Sequence, residues 1–340
     1  MGLDTPWGIS FLPDGLILVT ERGGRLRVIE NGQLRAAPVA GAPAVFAEGQ
    51  GGLFEAQPHP NFAENRLIYL TYAEGRDDAN RTTLARAVFD GQSLQNFEVL
   101  WQAGPAKEGP AHFGGRMLFL PDDTLLLTLG DGFTYRERAQ ALDDHFGKIV
   151  RLTLDGAPAP DNPLTGTEGA RPDIWSFGHR NVQGIARDPA SGRIWTTEHG
   201  PRGGDEVNIM CPGGNYGWPV ITYGQDYSGA IISPFTEREG MLQPLTYWAP
   251  SIAPSGMAFY TGDLFPGWRG DLLVSALAGA QLRRIDLDAN GARIGEEVLL
   301  EELAGRFRHV AQAPDGSVYV LAESTGEAPE GQVLRLTPAS

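Results

Sequence analysis

Residues 114–132 read GGRMLFLPDDTLLLTLGDG: an apolar run, a Pro-Asp-Asp turn, a second apolar run and an aspartate between glycines. Short apolar runs bounded by turn formers are strands rather than helices. GKIVRLTLDG at 147–156 adds a further strand, this one carrying an arginine. The same order recurs along the chain. Its other copies are WGISFLPDGLILVTERGGRLRVI at 7–29, and GGLFEAQPHPNFAENRLIYLTYAE with TTLARAVFDG over 51–91. GIARDPASGRIWTTEHG at 184–200, closed by VNIM, is another. SGMAFYTG with GDLLVSALAGAQLRRIDLDANG covers 255–291, and RHVAQAPDGSVYVLAE with GQVLRLTP covers 308–338.

Six copies in 340 residues, averaging just under 60 residues each, imply radially repeated antiparallel sheets. The expected fold class is all-β, a six-bladed β-propeller, with residues 1–340 forming a single domain. A large β-sandwich or two barrels is the alternative, and neither needs one unit repeated six times. The longest stretches without strands are expected at 156–172 and 211–250. Helical character is confined to a short turn over Arg138–Leu142.

A formal charge of -15 argues against a nucleic-acid partner, which would draw on a surplus of Lys and Arg. No apolar run approaches the roughly 18 residues that span a bilayer, so the chain is not expected to be membrane-embedded. The single cysteine, Cys211, cannot form an internal disulfide. No charged-then-apolar leader precedes Pro6-Trp7, and the sequence itself leaves the compartment open.

In a propeller the first strand of each blade lines a central channel, and equal positions in the repeats map to equal positions in space. Gln50 lies ten residues before its turn proline Pro60, and His112 lies nine before Pro121. Arg180 and Asn181 lie nine and eight before Pro189, and Arg306 and Arg308 lie eight and six before Pro314. These side chains are expected to converge on one mouth of the channel. Three arginines around one spot of an acidic protein suit an anionic ligand, most simply a carboxylate. His112 has the pKa range of a general base near neutral pH, and Asp131 is placed to orient its imidazole. Taken singly, each has a plainer reading: a structural histidine, a solvated arginine edge, a turn aspartate. Glu206 and Tyr216 flank a Gly-rich segment, and Gly200-Pro201 exposes turn carbonyls. Oxygen sets of this kind suit calcium, although ordinary loop turns look the same. Zinc-type spacing and phosphate loops are missing from the sequence.

At these residues the chain resembles the soluble quinoprotein sugar dehydrogenases, the glucose/sorbosone dehydrogenase family, and within it the aldose sugar dehydrogenase branch. The likeness runs through nearly the whole chain in PWGISFLPDG, GQGGL, HFGGRM, LTLGDG, GHRNVQG, EHGPRGGDEVN, NYGWP, APSGMAFY and RFRHV. It implies pyrroloquinoline quinone (PQQ) and calcium as cofactors, with an aldose oxidised at its C1 hydroxyl to a lactone. Hydride would pass to the quinone, and an external electron acceptor would reoxidise it. The resemblance makes His112 the base, Asp131 its partner, and Arg180 the group that polarises the quinone carbonyl. Gln50, Asn181, Tyr227, Arg306 and Arg308 become cofactor contacts. Gly200 and Pro201 become backbone ligands of a calcium that bridges to the cofactor, and Glu206 and Tyr216 become part of a second, structural calcium site. A periplasmic or secreted location is implied in the same way. Two positions depart from the pattern: Ala278 stands where some members have a lysine near the cofactor, and Ala111 where glucose enzymes have an acid. The loops at 133–140 and 225–245 differ too. A metal-dependent lactonase, or a non-catalytic propeller binding a protein or glycan, are the alternatives.

Overall fold

The computed structural model describes residues 2–323 and 331–338, so positions 324–330 of the sixth repeat lie outside the described residues. Six antiparallel sheets follow one another along the chain, each a meander in sequence order. Their inner strands are Pro6–Phe11, Leu53–Pro58, Met117–Phe119, Val182–Arg187, Pro254–Phe259 and Arg306–Gln312. Five sheets carry four strands, and the sixth carries three among the described residues. This is the six-bladed β-propeller that the repeats imply, with blades 1 to 6 in chain order. Leu3 bridges to Gly331, whose N–H donates to the Leu3 carbonyl at 2.7 Å, so the first residues touch the last blade.

The repeated turn builds itself from local chemistry. Asp315 accepts the Ser317 N–H at 2.9 Å, and Asp122 accepts the Thr124 hydroxyl at 2.6 Å. The arginine of a later strand then closes on the same aspartate, in Arg151–Asp122 and Arg335–Asp315 pairs of 2.6 Å. That explains why a turn Asp and a strand Arg travel together in these copies. The apolar core lies in layers between neighbouring blades. Leu18, Leu26 and Val28 of blade 1 pack with Leu70, Ala85 and Ala87 of blade 2. Trp195 and Val207 of blade 4 pack with Met257 and Leu272 of blade 5.

Three local features differ from expectation. The helical turn runs over Arg136–Gln140, in 3₁₀ form, rather than 138–142. A one-turn helix, Phe62–Asn65, has too short a pattern to register as periodic. The 211–250 stretch ends in a strand, Thr246–Trp248, which completes blade 4; three residues beside Pro244 and Pro250 give no alternation to read. The 156–172 stretch carries no strand.

The inner strands are not regular. In blades 1, 2, 4, 5 and 6 the pairing with the second strand skips one residue: Trp7, Phe54, Gln183, Ser255 and Arg308. A bulge at the same place in five blades turns those side chains out of the regular strand alternation. Blade 3 has Gly115 there, at φ 98°, where a Cβ would come within 2.6 Å of the Phe54 ring. Hydroxyls on or beside these strands join the blades. Thr20, Thr71 and Thr128 donate to the carbonyls of Phe54, Gly115 and Val182 of the next blade, at 2.6, 2.7 and 3.2 Å. Ser255 does the same to Phe307 at 2.5 Å.

The residue beside each bulge forms a ring around the axis: Gly8, Glu55, Arg116, Gly184, Gly256 and His309. The small glycines leave the space to Arg116. Its guanidinium donates to Glu55 Oε1 at 2.9 Å, the Gln183 carbonyl at 2.7 Å, the Ser255 carbonyl at 2.6 Å and the Arg308 carbonyl at 3.1 Å. It also donates to His309 Nδ1 and stands 3.9 Å over the Trp7 ring. One side chain of blade 3 thus touches the other five blades. Burial pushes it down to about 10, against the pull of Glu55, and it keeps its charge at neutral pH.

Removing one partner of a buried ion pair leaves the other charged and unpaired, at a cost of roughly 3–5 kcal/mol. Arg116→Met is therefore expected to lower unfolding free energy in urea by about that amount, and Arg116→Met with Glu55→Gln by less. Equal losses in the two variants would show that the Glu55 charge is not what the guanidinium compensates.

Candidate active site

In an antiparallel meander the start of the inner strand, the end of the second and the start of the third share one end of the blade. Gln50, His112, Arg180 and Asn181 lie just before the inner strands of blades 2, 3 and 4, and Arg306 and Arg308 open that of blade 6. Asp131 follows the second strand of blade 3, and Gly200-Pro201 that of blade 4. All reach one face of the ring. Above the Arg116 tier this face holds a cavity of ≈ 200 Å³, whose lining includes Gln50, Asn181, Arg306 and Arg308 together with Arg22 and His199.

His112 stands beside this cavity and is tied to it, because its N–H donates to Gln50 Oε1 at 2.8 Å. Its Nδ1 lies 2.6 Å from Asp131 Oδ1. The other carboxylate oxygen accepts the Trp218 indole N–H at 2.8 Å, and Oδ1 also accepts the Phe133 N–H at 2.8 Å. Burial pushes the Asp131 carboxyl up, but its bond to His112 and the nearby positive charges hold it below the usual value. The ionised carboxylate can only accept, so the proton of a neutral His112 sits on Nδ1 and Nε2 carries the lone pair. Burial also pushes the imidazole below its ordinary value, with Asp131 opposing and Arg180 and Lys107 assisting. A neutral ring beside an ionised aspartate satisfies both shifts. His112 and Phe133 both have positive φ, 54° and 69°, and their rings meet edge to face at 5.1 Å. Strain of this kind persists only where surrounding bonds enforce it.

Arg180 is held from below. Its N–H donates to Glu198 Oε2 at 2.7 Å, and Glu198 Oε1 faces His179 Nδ1 at 3.0 Å, whose Nε2 meets the Ser176 hydroxyl at 2.9 Å. This serine, histidine and glutamate are buried and hold the Arg180 backbone in place. The Arg180 guanidinium donates to the Gly200 carbonyl at 2.6 Å and lies 3.4 Å from the Tyr227 hydroxyl. Tyr227 is 61% exposed and belongs to the rim rather than to the cavity wall. Asn181 Oδ1 accepts the Gly114 N–H at 3.2 Å. Arg306 and Arg308 both donate through Nε to Glu323, at 3.2 and 2.8 Å.

The residues meet the two cofactors differently. A cavity with three guanidiniums in its wall and a buried, unpartnered His199 Nε2 suits a polar anion such as PQQ, a tricarboxylate. Calcium at Gly200-Pro201 does not fit this arrangement, since the Gly200 carbonyl already faces the Arg180 cation. At the other pair, burial and the adjacent Glu198 charge push the Glu206 carboxyl up to about 8, and one Asn208 N–H at 3.0 Å is its side-chain donor. A cation would relieve that carboxylate. The Tyr216 hydroxyl donates to the Ile209 carbonyl at 3.0 Å and accepts the Cys211 N–H at 2.8 Å, so it is already paired with the backbone. Among the described residues no group of three or more His, Cys, Asp or Glu side chains is placed to hold a metal.

Sequence reasoning missed Arg22, His199, Glu323 and Trp218. The first three had a signal. Each lies two residues after the same position of its second strand, Thr20, Thr197 and Leu321, which pair with the ring residues Gly8, Gly184 and His309. Counting offsets in second strands as well as first would have found them. Trp218 had none, since it reaches Asp131 from the long 211–250 stretch, where the sequence repeat gives no offset to count.

Residues 3–335 match the family model described as Glucose / Sorbosone dehydrogenase. The chain is 42% identical over 344 residues to the aldose sugar dehydrogenase YliI of Escherichia coli, covering 99% of this chain and 91% of that protein. The crystal structure of the soluble aldose sugar dehydrogenase from Escherichia coli in its apo form superposes with TM-score 0.94 at 39% identity, covering 99% and 97% of the two chains. The PQQ-bound form of an aldose sugar dehydrogenase from Streptomyces coelicolor gives TM-score 0.81 at 29% identity, covering 99% and 95%.

An NMR titration of His112 should give a pKa below 6.5, and Asp131→Asn, which removes the opposing charge, should lower it further. A value at or above 6.5 in the wild type would show that the aspartate outweighs burial.

Proposed function

The chain belongs to the glucose/sorbosone dehydrogenase family, and from that premise we propose that it is a PQQ-dependent dehydrogenase oxidising aldoses at the C1 hydroxyl to lactones. The observation that carries this reading is the buried His112–Asp131 pair beside a cavity with three guanidiniums in its wall. The PQQ-bound Streptomyces coelicolor relative supports the choice of cofactor.

Arg306, Arg308, Gln50 and Asn181 would hold the cofactor, with charge-assisted bonds to its carboxylates. Bound PQQ supplies a two-electron acceptor for the hydride leaving C1, and an external acceptor must later reoxidise it. His112 Nε2 takes the proton of the C1 hydroxyl. Asp131 keeps the Nδ1 proton in place and stabilises the imidazolium as it forms, while Trp218 fixes the aspartate. Arg180, whose guanidinium lies 5.4 Å from the Trp218 ring centre and 5.8 Å from that of Tyr227, brings a fixed positive charge to the mouth, where negative charge develops. Tyr227 contributes to the rim on which ligand rests.

Glu206 is the better-supported place for calcium, through its under-compensated carboxylate. An ion at Gly200-Pro201 requires Arg180 to release the Gly200 carbonyl, and no step here depends on it. A lactonase would need several channel carboxylates; Glu55 on the inner ring is committed to Arg116. A periplasmic or secreted setting is part of the proposal and rests on family membership.

His112→Asn should lower dye-linked aldose oxidation of PQQ-loaded protein by about 10²–10⁴-fold, the range that general-base catalysis supplies. In the wild type kcat/KM should rise with pH along an acid limb centred below 6.5, because the base works only when neutral and burial lowers its pKa. Full activity in the asparagine variant would remove His112 from the chemistry.

A further inference from the structure

We propose that Arg22 is a cofactor-binding cation of this site, supplying from blade 1 the charge that Ala278 does not provide from blade 5. The inference rests on the PQQ reading above and adds a residue to it.

The cavity wall holds three guanidiniums, those of Arg22, Arg306 and Arg308. They are not equivalent. Arg306 and Arg308 share one carboxylate, Glu323, so that pair enters the site with about half of its charge already met. Arg22 has no carboxylate within 4 Å among the described residues, and its charge adds to the repulsion felt by Arg308. Uncompensated positive charge in a half-enclosed cavity raises the free energy of the empty site and favours an occupant with several anionic groups.

The backbone is arranged to seat this side chain. Arg22 follows the second strand of blade 1, its N–H donates to the Thr5 carbonyl at 3.0 Å, and its carbonyl accepts the Leu53 N–H at 3.0 Å. Gly52 has φ 143°, and a Cβ there would come within 2.4 Å of the Arg22 Cγ. The last glycine of GQGGL, Gly52, is thus the space in which the arginine stem lies, beside Gln50 of the same motif. Across the cavity, Leu277 of the SALAG loop reaches the wall, whereas Ala278 is not part of it. His199, at the same second-strand offset as Arg22, lines the cavity with Nε2 unpartnered. Blades 1 and 4 therefore point polar groups into the space from opposite sides of the ring.

Arg22→Met keeps the stem against Gly52 and removes the charge, while Arg22→Lys keeps both. Isothermal titration of PQQ into wild-type, Arg22→Met, Arg22→Lys and Arg306→Ala proteins, each checked for a wild-type thermal unfolding curve, tests the proposal. Arg22→Met is expected to bind at least about tenfold more weakly at low salt, and Arg22→Lys to stay within about fivefold of wild type. The difference between wild type and Arg22→Met should shrink as salt is raised. Wild-type affinity in Arg22→Met, with loss in Arg306→Ala, would overturn the role of Arg22 and leave the PQQ reading standing. Equal loss in the Met and Lys variants would also overturn it, since charge would then not be what matters. Failure of the wild type itself to bind PQQ would overturn the reading on which the inference rests.

Discussion

The Arg116 guanidinium is the contact on which the rest of the ring depends. A propeller buries apolar surface between adjacent blades, and those layers alone do not fix six blades around an axis. Arg116 supplies the missing constraint by placing one rigid, charged fork among the carbonyls of Gln183, Ser255 and Arg308, the carboxylate of Glu55 and the face of Trp7. Desolvating a guanidinium is costly, and the cost is offset here because its donors meet acceptors and one of those is charged. The same contact closes the channel, so the space above it is a cup with a floor rather than a pore.

That floor decides what the site can be. Bulged residues Trp7, Phe54, Gln183 and Arg308 look into the cup, and second-strand ends add Arg22 and His199. No single blade holds the chemistry: positive charge comes from blades 1 and 6, the His112–Asp131 pair from blade 3, and Arg180 from blade 4. Burial works in opposite directions on the two members of the pair. It favours a neutral imidazole, and the imidazole's bond in turn helps keep the aspartate ionised, which is the protonation pattern a base near neutral pH requires.

Much of this was legible in the sequence because repetition converts spacing into geometry. Offsets from the turn prolines correctly brought Gln50, Asn181, Arg306 and Arg308 to one cavity and His112 and Arg180 to its edge. The same reasoning, confined to first strands, passed over Arg22, His199 and Glu323. Contacts across the ring were beyond it, since nothing in HFGGRM says that its arginine will meet Glu55 and His309, residues 61 and 193 positions away. Trp218 and the strand Thr246–Trp248 lie in the long 211–250 stretch, where the sequence repeat gives no offset to count. Tyr216 illustrates a different limit: a motif can place a tyrosine beside a candidate cation site, but only the folded chain shows its hydroxyl taken by the backbone.

The central claim is that this cup holds PQQ and delivers electrons from an aldose to it. An anaerobic single turnover tests it most directly. Protein is loaded with PQQ in the presence of calcium, freed of excess cofactor, and mixed with glucose or another aldose without any electron acceptor. The absorbance of the oxidised quinone should be lost in one stoichiometric step and return when an artificial acceptor is added. Retained cofactor whose spectrum stays unchanged at saturating concentrations of a panel of aldoses would contradict it.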